Sequence, residues 1–205
     1  RRPWKSRWPG RQATPSSEVQ PGTLEVNEPA HTTHFSVVDA EGNAVALTTT
    51  INDLYGSGVT VTGAGFVLND EMDDFTSKPG EPNMYGLVQG VANAIEPEKR
   101  MLSAMTPTIV LAPETNRPLI ITGARGGPRI ITATWQVISN IIDYGMDVTA
   151  AINAPRIHHQ HLPDQLQYEE DGLPATTIQT LESYGHEVRA PGGVGSPPAL
   201  LYFGA

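Results

Sequence analysis

The 205-residue sequence contains no cysteine, which removes disulfides and thiol chemistry from consideration. It also lacks any run approaching the roughly 18 apolar residues that cross a bilayer. The first residues carry charge but no apolar stretch of the kind found in a secretory signal, so an address is expected on another part of a longer precursor. Cations are scarce, with 13 Lys and Arg against 22 Asp and Glu. Five of those cations (Arg1, Arg2, Lys5, Arg7 and Arg11) lie in the first eleven residues, where there is no acid. The rest of the chain is therefore strongly acidic, which argues against nucleic acid as a partner. The basic head has no amphipathic period because Pro3, Trp4, Trp8, Pro9 and Gly10 interrupt it, and it reads as a flexible or foreign leader.

Residues 12–31 are rich in Pro, Ser, Glu and Asn and read as a linker. Strands are expected near 33–39 and 43–51, folded together by the turn Asp39-Ala40-Glu41-Gly42-Asn43, with Phe35, Val37, Ala44, Val45 and Leu47 facing a core. Further strands are expected near 65–69, 107–111 and 119–122. Ile130, Ile131, Trp135, Ile138, Ile141 and Ile142 recur at helical spacing and predict a buried helix ending at Gly145. A short helix at 148–154, a strand at 165–169, a helix over 174–184 stopped by Gly185 and a last strand at 186–189 complete the reading. Strands, then helices, then strands again imply an α+β domain of stacked layers.

Two segments suggest chemistry. Thr32 opens the first strand, and a cut between His31 and Thr32 would leave an α-amine beside the hydroxyl, placing base and nucleophile on one residue. Strand propensity alone also accounts for a Thr-Thr pair. Asn69-Asp70-Glu71-Met72-Asp73-Asp74 is either a solvated acidic turn or a pocket for a substrate ammonium, with Glu71 and Asp74 as acceptors. His158, His159 and His161 lack the spacing of a zinc-binding helix, so no metal is expected.

In this order, the segments TTHFSVVDAEGNAVALTTTIN, LNDEMDDF, KPGEPNMYGLV, LSAMTPTIV, TGARGGPRIITA and NAPRIHHQHLPDQL are similar to the small subunit of γ-glutamyltransferases, over about residues 12–190. The resemblance implies the four-layer α-β-β-α sandwich of N-terminal-nucleophile hydrolases, here only the C-terminal part of a heterodimer. Residues 1–31 then correspond to a leader and the end of the large subunit. Residues 32–205 correspond to the small-subunit catalytic domain, expected to be shortened because Gly192–Ala205 stops before the family's usual closing segment.

The resemblance also assigns roles. Thr32 is the nucleophile, Thr50 bonds its hydroxyl, and Asn52, Glu71 and Asp74 hold the glutamyl α-amino group; some relatives carry Gln where Glu71 stands. Gly126 and Gly127 supply backbone N–H donors to the oxyanion. Ser103 is the first of two serines for the α-carboxylate, and Ala104 departs from the second, a lost donor costing on the order of 1–3 kcal/mol. Pro79–Gly90, with Tyr85, matches a lid loop that excludes water. The implied reaction is self-cleavage at His31–Thr32, then transfer of the γ-glutamyl group of glutathione or a relative to Thr32, resolved by water or by an amino acid or peptide. The implied partner is the large subunit from the same precursor, with no cofactor and a periplasmic or extracellular location. The alternatives are a related glutaryl or cephalosporin acylase, and a non-catalytic fragment or pseudoenzyme.

Overall fold

The computed structural model describes residues 32–195 and 198–204; the leader and linker expected at 1–31 lie outside the described residues. Strands β1 (Thr32–Val38) and β2 (Ala44–Thr50) form an antiparallel hairpin in which Thr32 is opposite Thr50 and Val38 opposite Ala44. Its turn is built by Asp39, whose carboxylate accepts the backbone N–H groups of Glu41 and Asn43 and the Asn43 side-chain amide. These bonds hold the Asp39 carboxyl below its ordinary range, and Gly42 supplies the positive φ of +88° that the turn needs.

Strands β3 (Thr108–Leu111), β4 (Pro118–Gly123) and β8 (Ala199–Tyr202) form a second antiparallel sheet with β4 in the centre. The hairpin lies face to face on this sheet. The layer between them is largely polar. Ser36 Oγ donates to Ile121 O at 3.2 Å, and the His34 ring spans Thr48 Oγ1 at 2.8 Å and Ser36 Oγ at 3.1 Å. Because the Ser36 hydrogen is committed to Ile121, His34 Nε2 donates and Nδ1 accepts from Thr48. Burial lowers the His34 pKa and favours this neutral form. The ring lies directly over Gly123, where a Cβ would overlap it.

Helix α1 (Arg129–Ile142) covers the opposite face of β4. Ile120, Val137, Ile141 and Ala151 form the main core, with Val110, Leu119, Ile138, Ile152 and Leu200 around it. A smaller cluster of Ala124, Ile130 and Ala133, backed by Met105, lies under the first turn of α1. Helix α2 (Val148–Asn153) starts at Asp147, which caps it by accepting Ala150 N–H at 2.9 Å. A third sheet, β5 (Ile157–His158), β6 (Leu166–Tyr168) and β7 (Val188–Arg189), packs beside α1, with α3 (Ala175–Ser183) against β7. The buried Arg156–Glu169 ion pair, at 2.6 Å, ties α2 to this sheet through a further Arg156 bond to Ile152 O.

Three expectations are corrected. Phe35, Val37, Val45 and Leu47 do not face the core: they are 38–51% exposed on the outer face of the hairpin, and the inner face is the polar one. Ile131, Trp135 and Ile142 likewise lie on the exposed side of α1, which buries only the stripe Ile130, Ala133, Thr134, Val137 and Ile141. The strand expected at 65–69 is reduced to a single bridge between Thr60 and Val67. Conversely, β8 and β5 form where no strand was expected, the first in the Gly- and Pro-rich tail.

Candidate active site

The hairpin register sets the centre of the site. Thr32, 6% exposed, donates from Oγ1 to Thr50 Oγ1 at 3.0 Å. Thr50 Oγ1 also accepts the Asn52 N–H at 2.9 Å. Asn52 is buried with a φ of +70°, a left-handed conformation that asparagine tolerates better than most residues. Its side-chain amide donates to Asp70 O at 2.9 Å and so ties the end of β2 to the acidic segment.

That segment forms a 3₁₀ turn, Glu71–Asp74. Glu71 Oε1 is buried without a hydrogen-bond partner. Burial, then the neighbouring Asp74 carboxylate, push the Glu71 pKa up to about 7, and burial also raises Asp74. Both shifts favour a proton on this pair. An arriving cation would be accepted by exactly the groups that otherwise repel each other.

Asn93 braces the turn from behind. Its amide donates to Asp74 O at 2.7 Å and Gln89 Oε1 at 2.5 Å, and its carbonyl oxygen accepts Leu102 N–H at 2.9 Å. This places the segment carrying Ser103, Ala104 and Met105 beside Asp74. Ser103 Oγ accepts Met105 N–H at 3.2 Å.

Opposite, the chain leaves β4 through Arg125-Gly126-Gly127-Pro128 into α1, with Gly126 and Gly127 at φ of +130° and +56°. The Tyr85 ring lies against Gly127, where an added Cβ would be 2.8 Å from Cε1. Tyr85 Oη reaches Asn52 Oδ1 at 3.1 Å and Asn52 O at 3.4 Å. Burial and the surrounding carboxylates push the Tyr85 pKa up to about 12, so the phenol keeps its proton and donates.

Thr32, Thr50, Asn52, Asp74, Tyr85, Ser103 and Gly127 thus line one cavity of about 30 Å³, room for about one water molecule. Glu71 borders it through Asp74, and Gly126 stands one residue back in the turn. Leu87, Gln89, Leu102, Met105 and Pro128 also line it and were not singled out from the sequence. Gln89, two residues before the 3₁₀ turn Val91–Asn93, carries no local signal, because its role follows from the fold alone.

The model of the gamma-glutamyltranspeptidase family matches residues 6–199. The chain belongs to the γ-glutamyltranspeptidase family. The match extends beyond both ends of the sequence resemblance and reaches into the basic head. The chain is 48% identical over 190 residues to the glutathione hydrolase proenzyme of Escherichia coli strain K12, covering 93% of this chain and 32% of that protein. It is 47% identical over 186 residues to the glutathione hydrolase proenzyme of Pseudomonas sp. strain A14, covering 91% and 32%. It therefore spans about a third of the length of these curated relatives. Among solved structures, the T380A mutant of Helicobacter pylori γ-glutamyltranspeptidase superposes with a TM-score of 0.78 at 50% identity, over 83% of this chain and 90% of that one. The fold is that of the γ-glutamyltranspeptidases, an α+β N-terminal-nucleophile hydrolase. Within the described residues, the hairpin β1–β2 faces the sheet β3–β4–β8, and α1 packs on the other side of that sheet. Among them, no helix is long and apolar enough to cross a membrane.

Proposed function

We propose that this chain is the nucleophile-bearing small-subunit part of a γ-glutamyltransferase that also hydrolyses glutathione. The observation that carries the reading is the Thr32–Thr50 hydroxyl pair at 3.0 Å in a cavity that also holds Asp74, Ser103 and Gly127. Residues 1–31 are read as a leader and the end of the large subunit. The Thr32 hydroxyl attacks the His31 carbonyl, the acyl group moves from nitrogen to oxygen, and water releases it. The freed α-amine then takes the hydroxyl proton as Oγ1 attacks the γ-amide carbonyl. Backbone N–H groups at Gly126 and Gly127 stabilise the oxyanion, and the α-amine returns the proton to the departing amine. Water or an acceptor amino acid or peptide resolves the ester, and no cofactor takes part.

Glu71 and Asp74 receive the donor's ammonium, with Asn52 beside them, each charge-assisted contact being worth about 1.5–3 kcal/mol. Ser103 meets its α-carboxylate, while Ala104 withholds a second hydroxyl. The Tyr85 ring against Gly127 narrows the cavity at Thr32, and the Tyr85 segment is read as a lid that moves aside to admit the donor and returns to exclude water. The large subunit is the partner that covers the exposed apolar face of Phe35, Val37, Val45 and Leu47. By family resemblance the enzyme works in the periplasm or outside the cell.

Mass spectrometry of the full precursor tests this reading. The parent should resolve into two chains divided at His31–Thr32, and Thr32→Ala should remain intact. An intact parent, or a cut Thr32→Ala, overturns the mechanism. Equal hydrolysis of a glutaryl and a γ-glutamyl anilide would favour the acylase alternative, since a glutaryl group has no ammonium for Glu71 and Asp74.

A further inference from the structure

The Tyr85 segment is a small hairpin bonded mainly to itself. Gly80 N–H donates to Gln89 O, Asn83 N–H to Leu87 O and Gly86 N–H to Asn83 O, while Asn83 Oδ1 accepts the N–H groups of Tyr85 and Leu87. Such a unit moves as one piece, and its position depends on what ties its tip to the body. On one side, the ties are the Tyr85 hydroxyl on Asn52 and Met84 N–H on Asp73 Oδ2 at 3.4 Å. On the other, Gln160 Nε2 donates to Tyr85 O at 3.2 Å, and Pro163 lies where a Cβ on Gly86 would be 3.5 Å from its Cδ.

Gln160 is itself fixed. Its amide also donates to Leu162 O at 3.2 Å, so both hydrogens face carbonyls and its oxygen must face His158 Nε2, 2.9 Å away. That nitrogen therefore carries a ring proton, and Nδ1 lies 2.9 Å from Thr132 Oγ1, whose hydroxyl also donates to Arg129 O at 3.1 Å. His158 is 3% exposed, and burial lowers its pKa. A continuous polar chain thus runs from Thr132 on α1 through His158 and Gln160 to the Tyr85 carbonyl.

We propose that Gln160 is a positioning residue for the lid: locked by His158, it holds the Tyr85 carbonyl and thereby keeps the Tyr85 ring over Gly127 and the cavity at Thr32 closed. The inference rests on the reading of Thr32 as the acylated nucleophile for its kinetic consequence, but not for its structural one.

The test uses the full precursor and its processed form, with Gln160→Glu, which keeps an acceptor for His158 but removes the donor to Tyr85, and with Gln160→Ala. Chymotryptic nicking after Tyr85 should quicken by roughly tenfold in both variants, as expected for the loss of a bond of this kind. For a γ-glutamyl anilide, KM should rise and the acyl-enzyme should partition further toward water and away from an acceptor dipeptide. In a Tyr85→Ala background, either Gln160 substitution should change the partition no further. Unchanged nicking, or an equal kinetic cost with and without Tyr85, overturns the proposal. A precursor inert toward every γ-glutamyl amide refutes the proposed function instead, and the nicking rate still decides whether Gln160 holds the lid.

Discussion

Thr50 Oγ1 accepts two hydrogen bonds, from the Thr32 hydroxyl and from the Asn52 N–H, so Thr50→Val removes both bonds with almost no change in shape. The two losses differ. The Asn52 N–H belongs to a residue 4% exposed, held at a φ of +70°, and cannot turn to water. Leaving it unpaired should cost about 1–3 kcal/mol of stability. The Thr32 hydroxyl loses its orienting partner, a bond of about 1 kcal/mol, which lowers self-cleavage and acylation by about five- to tenfold. Thr50→Ser keeps Oγ1 and should restore most of both quantities. Denaturant melts of the uncleaved precursors and the rate of appearance of the small subunit measure the two effects separately. A Thr50→Val precursor that matures at the parental rate would show that the Thr32–Thr50 contact does not orient the nucleophile.

Three further outcomes are expected. The folded protein holds a proton on Glu71 up to about pH 7, whereas the unfolded chain releases it near 4.5, so stability falls as pH rises through that window. Glu71→Gln should relieve this and raise stability at pH 8 by about 1–2 kcal/mol after allowance for solvent screening; an equal gain at pH 4 in parallel melts would contradict the carboxyl-pair account. Ala104→Ser adds a hydroxyl beside Ser103 and should lower the donor KM by up to about tenfold with little change in kcat, a prediction that an unchanged KM defeats. Gly123→Ala drives a methyl into the His34 ring and displaces its bonds to Thr48 and Ser36. It should cost about 1–3 kcal/mol in thermal melts, and a neutral result would mean that the two sheets are not packed through His34.

Much of the layout was legible in the sequence because its signals are local. The Asp39–Asn43 turn and the Gly185 stop each name an element boundary. Which face of an element is covered was not legible. Alternation in β1 shows two faces, but only the partner sheet reveals that His34 and Ser36 are the inward pair, through bonds to Thr48 and to Ile121 O. Phe35 and Val37 read as core because they are large and apolar at alternating positions, yet they lie on the outer face of the hairpin. β8 escaped notice because four residues in a glycine-rich tail acquire strand geometry from β4 rather than from their own propensity. At the site, Thr32 and Tyr85 were found through family motifs. Gln89 and Gln160 lie within matched segments but drew no role there, and Asn93 lies outside them, because their importance lies in contacts with chain segments 4 to 75 positions away.

The pairing of Thr32 with Thr50 gives the far end of the hairpin an unexpected bearing on reactivity. Sliding one strand by a single residue would bring Thr33 opposite Thr50 and rotate the Thr32 hydroxyl to the solvent side. The small carboxylate-clasped loop at Asp39, seven residues on from Thr32 and just past the end of β1, is thus the gauge that sets the alignment. A substitution such as Asp39→Ala, or an inserted residue beside Gly42, should behave as an active-site lesion although it touches nothing in the cavity.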